Sequence, residues 1–432
     1  MARSARVKDS GATPLMRVPD FQKLFLSAST SGLGAQVSLL ALPLVAILGL
    51  RASALQVGAL SALGTLPYLL VGLPAGAYLE RVRLRPVLTW SALGRALVLG
   101  SVPVLWALHR VNIEVLDVIA LLVGLLSTFY DIAWQTYLPS LVGTPRLHEA
   151  SSRLTIANSG SQLLGPGLAG VLIRFLSAPL ALLADALGFA VAGLAVHRIT
   201  TPETAPTDSP DEAGVVRRVA EGVAYVTRND LLRWIAVGTG AWNFVGTALN
   251  VVLVLFEARV LHYSAGTIGL VFFLGNVGYL VGAPAVRAVT ARLGVGRTML
   301  VGAILGGVGP ALLPLARVED AMALLVAGWF FRALGSPLYM ANQLSLRLAI
   351  TPTELTARMT ATMKFFVMGA MPLGSFLGGV LAGTLGDRPT LWLVAAVAAS
   401  SILATALSNV RQVSIPPEKL APGSVLFETN TG

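Results

Sequence analysis

The chain has no cysteine, four histidines and only four lysines among its 432 residues. Without cysteine there is no disulfide, no thiolate metal site and no thiol nucleophile. The histidines, His109, His148, His197 and His262, fall in or beside the breaks between apolar runs, so a metal cluster is not expected. Charge is scarce as well: 12% of residues are Asp, Glu, Lys or Arg, against about 25% in an ordinary soluble domain. No glycine-rich loop of the Walker type and no paired-carboxylate or metal-ligand spacing occurs, which argues against an ATP-driven pump and against an intramembrane enzyme.

Apolar length is what the chain has in excess. Hydrophobic residues make up 55% of it and the mean hydropathy is +0.75. Apolar runs of about 20 residues recur, each long enough to cross a hydrocarbon core of about 30 Å. Twelve spans are predicted, at 21–48, 53–78, 86–108, 114–139, 153–176, 180–198, 232–256, 265–290, 297–316, 322–345, 360–384 and 390–410. The residues before the first span are polar and that span is long, so no cleavable signal peptide is expected and helix 1 serves as its own insertion signal.

The net charge of +10 would suit a nucleic-acid partner, but the placement of the bases points elsewhere. Each odd-numbered loop carries one arginine (Arg51, Arg110, Arg174, Arg259, Arg317, Arg388), and Arg95 and Arg332 lie inside spans. All other lysines and arginines fall in or beside the tails and the even-numbered loops. That asymmetry predicts two cytoplasmic termini and an anionic lipid surface as the neighbour of the bases.

One long hydrophilic stretch, containing "TTPETAPTDSPDEAG", divides the spans six and six. The expected organisation is a tail (1–20), a six-helix bundle (21–198), a linker (199–231), a second bundle (232–410) and a tail (411–432). Within the linker, "VVRRVAEGVAYVTRNDLLRW" has the spacing of an amphipathic helix suited to the inner leaflet. The halves repeat each other weakly: "YLPSLVGTPRLHEASSR" after helix 4 is echoed by "LSLRLAITPTELTAR" after helix 10, and "ERVRLR" after helix 2 by "ARLGVGR" after helix 8. The predicted fold class is an all-α membrane protein of two pseudo-symmetric six-helix bundles, with a binding cavity between them near the midplane.

Side chains with chemistry to offer are few in such spans. Asp131 stands inside "GLLSTFYDIAWQTYLPSL", where an aspartate at a helix centre costs roughly 2.5–3.5 kcal/mol, so it calls for a partner or a job. Asp185 and Arg95 are the other deep charges of the first half. In helix 10, Arg332, Ser336, Tyr339 and Gln343 recur at helical spacing along one stripe; in helix 7, Asn243, Thr247 and Asn250 do so beside Trp242. Such polar stripes either line a cavity or tie helices together, and both readings stay open. Glycines at 72–76 and 374–378 would let helices 2 and 11 approach neighbours closely or bend. Pro43, Pro166 and Pro372 would kink their helices.

"GAYLERVRLR", from Gly76 to Arg85, resembles the loop signature between helices 2 and 3 of the major facilitator superfamily, with Glu80 in place of the usual Asp, Arg83 in place of a small or acidic residue and Leu84 in place of an Arg. "SGLGAQVSLLALPL", "FYDIAWQTYLPSLV", "GPGLAG", "DALGF" and "PLGSFLGGVLAG" are similar to the bacterial drug and siderophore exporter branch, although Ala35 and Ala92 stand where many relatives carry acids. The resemblance implies that helices 1, 4, 7 and 10 line the cavity, adding Gln36 and Gln135 to the two stripes. It implies a gate in which Asp131 bonds an arginine of the loop holding Gly76, Glu80, Arg81 and Arg85, while Glu80 faces the N-terminal end of helix 11. It also brings helices 3 and 6 together, so that Asp185 either pairs structurally with Arg95 or couples protons, a task for which Asp131 is the second candidate. The implied function is proton-driven efflux of an amphipathic small molecule, such as an antibiotic or siderophore, by a monomer without cofactor in the bacterial inner membrane. Import or uniport of a metabolite is the alternative.

Overall fold

A computed structural model describes residues 14–79, 81–203 and 215–413. Among them the regular elements are helices. Ten are long and apolar enough to cross a membrane: helix 1 (Pro19–Gly49), helix 3 (Leu84–Ala107), helix 4 (Ile113–Val142), helix 6 (Ala178–His197), helix 7 (Asp230–Val260), helix 8 (Ala265–Leu293), helix 9 (Val295–Leu315), helix 10 (Ala321–Ile350), helix 11 (Thr353–Leu385, apolar from Arg358) and helix 12 (Asp387–Leu407). Helix 2 breaks at Val71 into Ala54–Leu70 and Gly72–Leu79. Helix 5 (Leu147–Leu176) is long enough, but its first half is polar. Together these make the twelve spans of an all-α, multi-pass membrane protein.

Local chemistry sets several boundaries. Ser53 and Gln56 form a reciprocal capping box at the start of helix 2, with bonds of 3.2 and 2.7 Å. Asn112, Asn229 and Ser264 cap helices 4, 7 and 8 with side-chain oxygens. Pro43, Pro166 and Pro372 lie inside helices 1, 5 and 11.

With an even number of spans, both termini lie at one end of the bundle, here the termini end; the opposite one is the far end. The hydrophobic core shows how the halves meet. At the far end one core is shared, joining Val37, Val57, Leu60 and Ala169 to Leu249, Val252, Ile268 and Ala382. Toward the termini end it separates into a cluster of the first half around Tyr130 and Phe189 and one of the second half around Trp242 and Tyr339. Helices 2 and 11 touch backbone to backbone near the far end, where a Cβ on Gly58 would lie 2.7 Å from the Gly379 Cα; helices 5 and 8 do so at Gly170 and Gly269. Arg259 adds a bond across the halves to the Ala52 carbonyl. Nearer the termini, a Cβ on Gly72 or Gly76 would meet nothing within 4 Å. Of the two readings of those glycines, close approach is not seen in this conformation, because here the halves diverge, whereas the helix does break beside them, at Val71. Gly374 and Gly378, by contrast, press helix 11 onto helix 7.

The linker helix (Val215–Arg228) packs against the start of helix 11, where Arg358 pairs with Glu221 at 2.8 Å, and its Tyr225 hydroxyl reaches the Ile350 carbonyl at the end of helix 10 at 3.5 Å. The linker before it, 204–214, lies outside the described residues.

Candidate functional site

Where the halves diverge, side chains of helices 2, 4 and 11 come together. Helix 4 carries Asp131 eleven residues before its last residue, Val142, or roughly 16 Å along the axis. The side chain is exposed, and its Oδ2 accepts a hydrogen bond from the Tyr68 hydroxyl of helix 2. One turn toward the termini, Gln135 Oε1 accepts from Lys364 Nζ of helix 11 at 2.5 Å, a bond across the mouth of the cavity. Asp131 lies within electrostatic reach of both Lys364 and Arg95, with no direct ion pair to either. The result is a water-accessible acid at membrane depth, held by one phenol and faced by one ammonium. Such a group can bind a proton or a cationic cargo, and a neighbouring lysine can compete with either.

Within the first half, Arg95 Nη2 donates to Asp185 Oδ2 at 3.1 Å and Arg95 Nη1 to Ser127 Oγ at 2.7 Å. The guanidinium lies over the Phe189 ring at 3.9 Å. Asp185 is fully buried and packs so closely on helix 1 that a Cβ on Gly34 would lie 2.5 Å from its Oδ1. Helices 3, 4 and 6 thus share a charged, desolvated knot, and Asp185 has no opening onto the cavity.

The loop arginines do not reach Asp131 in this conformation, in which the halves diverge at the termini end. The Arg85 side chain donates to the Ile199 carbonyl, and the Leu84 and Arg85 backbone N–H groups both donate to the Glu203 carboxylate at 2.8 Å. An acid at the first turn of helix 3 is well placed against its orphan donors, and it fixes Arg85 on the linker. Arg81 is exposed, and Glu80 lies outside the described residues. Gly76 faces open space.

The helix 10 stripe does not line the cavity. Arg332, Tyr339 and Gln343 are 8%, 1% and 6% exposed, with Ser336 half-buried among them. Trp242 stacks on Tyr339 with centroids 5.3 Å apart, Arg332 sits over the Trp242 ring at 4.8 Å and Arg332 Nη2 donates to the Trp242 carbonyl at 3.1 Å. Glycines on facing helices make room: a Cβ on Gly306 would collide with the Trp242 ring, and one on Gly238 with the Tyr339 hydroxyl. In helix 7, Asn243 and Asn250 spend their amides on the carbonyls of Thr239 and Gly246, and Thr247 bonds the Met371 carbonyl at 2.9 Å. The two amides thus bond within helix 7, whereas Thr247 ties helix 7 to helix 11 and the Arg332–Trp242–Tyr339 stack ties helix 7 to helix 10. Gln36 is half-buried, its stem against Gly165 of helix 5. Gln135, expected in the cavity, lies one turn from Asp131, expected as gate or proton site, and the two recruit Tyr68 and Lys364, which sequence reasoning passed over. The available signal was Lys364 itself, one of four lysines and inside the predicted 360–384 span.

Residues 24–265 and 235–425, together nearly the whole chain, match the Major Facilitator Superfamily. The chain belongs to this superfamily. As a Major Facilitator Superfamily member it is a transporter. It is 28% identical over 409 residues to the multidrug efflux pump Tap of Mycolicibacterium fortuitum, covering 91% of this chain and 96% of that one. It is 24% identical over 410 residues to an uncharacterised MFS-type transporter, y4rN, of Sinorhizobium fredii, covering 94% and 96%. Its fold is similar to that of a bacterial homologue of the iron transporter ferroportin, with a TM-score of 0.73 at 16% identity over 91% of this chain and 99% of that one. Among the described residues no group of three or more His, Asp or Glu side chains is placed to hold a metal ion.

Proposed function

We propose that this transporter exports amphipathic small molecules from the bacterial cytoplasm in exchange for protons, with Asp131 as the acid that cargo and proton share. The observation that carries the reading is the exposed carboxylate of Asp131 in the opening between the halves, with Tyr68 as its bonded partner and Lys364 opposite. A family relative named a multidrug efflux pump, aligned over 91% of the chain, supports the direction and the breadth of cargo. The excess of arginine in the tails and even-numbered loops supports cytoplasmic termini in the inner membrane. On that orientation the open end faces the cytoplasm and the closed far end faces outside, the conformation in which an exporter loads.

The chemistry is an exchange at one group. A carboxylate favours a bound cation, and a protonated carboxyl does not, so proton and cationic cargo displace one another. Lys364 adds a second competitor for the same charge. The test is expression in a bacterium stripped of its own efflux pumps, challenged with a panel of cationic and neutral amphipathic antibiotics. Reduced accumulation of at least one cationic compound, abolished by a protonophore, is the expected outcome; unchanged or raised accumulation across the panel contradicts export.

A further inference from the structure

Helices 1 and 7 end at the far end in the same turn. Each closes with a five-residue π-helical turn, Val45–Gly49 in one and Phe256–Val260 in the other. The hydrogen bonds repeat: Leu50 N to Val45 O and Leu261 N to Phe256 O at 3.1 Å, then Ala52 N to Ala46 O and Tyr263 N to Glu257 O at 2.9 Å. So does the left-handed residue that follows, with φ of 51° at Arg51 and 52° at His262. The second position of the turn is Ala46 in the first half and Glu257 in the second, and both are 0% exposed. The backbone therefore builds this turn with a methyl group, and nothing in its geometry requires a carboxyl.

Glu257 nevertheless places one there, and neither of its oxygens has a hydrogen-bond partner. The groups around it are committed elsewhere. Arg259, on the same turn, reaches across the halves to the Ala52 carbonyl and has Asp387 of helix 12 within electrostatic reach. Arg388 of helix 12 donates to the Ala316 carbonyl at 2.7 Å and lies over the Phe256 ring at 5.4 Å. His262 is exposed, and Tyr263, at the start of helix 8, is the titratable neighbour within electrostatic reach. A buried carboxylate without cation or donor costs several kcal/mol more than the neutral acid in the same place. Two residues away, the Arg259 bond closes the seam between the halves.

We propose that Glu257 is a proton-binding site loaded from the solvent beyond the far end, and that the far end closes over it only when it is neutral. The step moves one proton from water on that side to a carboxylate oxygen, and no other bond is made or broken. The inference rests on the export cycle proposed above, in which the closed far end must open in turn; the identity of the cargo and the role of Asp131 do not enter it.

The cysteine-free chain lends itself to a distance measurement. Spin labels on cysteines replacing Arg110 and Val318, exposed far-end loop residues of opposite halves, report far-end opening in nanodiscs by pulsed electron resonance. The double variant with Glu257 intact is expected to show one short distance at acidic pH and a growing long-distance population as pH rises. Glu257→Gln and Glu257→Ala, the latter matching the first half's own residue, are expected to keep the short distance at every pH. An absent pH response with Glu257 intact, or an undiminished one in Glu257→Gln, overturns the proposal. So does failure of both variants to yield folded, monodisperse protein, which would make the carboxyl structural. Loss of drug export without change in these distances would strike the proposed function and leave Glu257 standing.

Discussion

Two acids of the first half show how surroundings divide labour between identical side chains. Asp185 is sealed against Gly34 and paired with Arg95, whereas Asp131, on the cavity side of the same bundle, is wet and bonded by a phenol. Removing one member of a buried pair leaves the other charge stranded, at a cost of about 3 kcal/mol or more, while removing both leaves only an imperfect fit. Asp185→Asn or Arg95→Met alone is therefore expected to lower the thermal unfolding temperature of the purified protein sharply. The double variant is expected to recover part of that loss; strictly additive losses would show that the pair is not coupled. Both acids were legible in the sequence, because a carboxylate within an apolar run has few innocent explanations. Their partners were legible to different degrees: Arg95 is the one deep cation of its half, whereas Tyr68 is a common residue in a common setting.

At the level of elements, the same spacing that marked the helix 10 stripe left its surroundings open between cavity and neighbouring helix. Offsets of four and seven residues show that Arg332, Ser336 and Tyr339 share a face, but not that the face meets Trp242 of helix 7 and the glycines of helix 9. Lys364 escaped notice for the opposite reason: it stands near a predicted helix end, where bases ordinarily report topology. The twelve spans were readable from apolar length, and only the break at Val71 and the polar start of helix 5 had no signature in it. Closure of the far end depends on helices 2 and 11 touching at Gly58 and Gly379, where the nearest atoms are backbone and have no rotamer through which to yield. Gly58→Leu is expected to disfavour that closure by roughly 1–3 kcal/mol, the usual range for overpacking. A cysteine at position 135, reactive toward a water-soluble maleimide in the parent, is expected to label measurably more slowly in Gly58→Leu. Equal labelling rates would show that the helix 2–helix 11 contact does not set the conformation.

Across the whole molecule, the core is shared at the far end and divided at the termini end, an arrangement that would let one half rock on the other, as access to one side at a time requires. Two acids lie on that path at different depths: Asp131 in the open cavity and Glu257 under the closed end. A carrier that exchanges cargo for protons must bring an acid to water on each side in turn, and a cycle driven this way runs only as far as the proton gradient is coupled to it. The central claim is that Asp131 performs this exchange. It is tested most directly in everted membrane vesicles, where a cationic dye is offered at the termini side under an imposed pH gradient, acid inside. Dye accumulation that collapses with the gradient and falls at least tenfold in Asp131→Asn, at equal protein, is the result expected; accumulation equally rapid in Asp131→Asn, with the same dependence on the gradient, would contradict it.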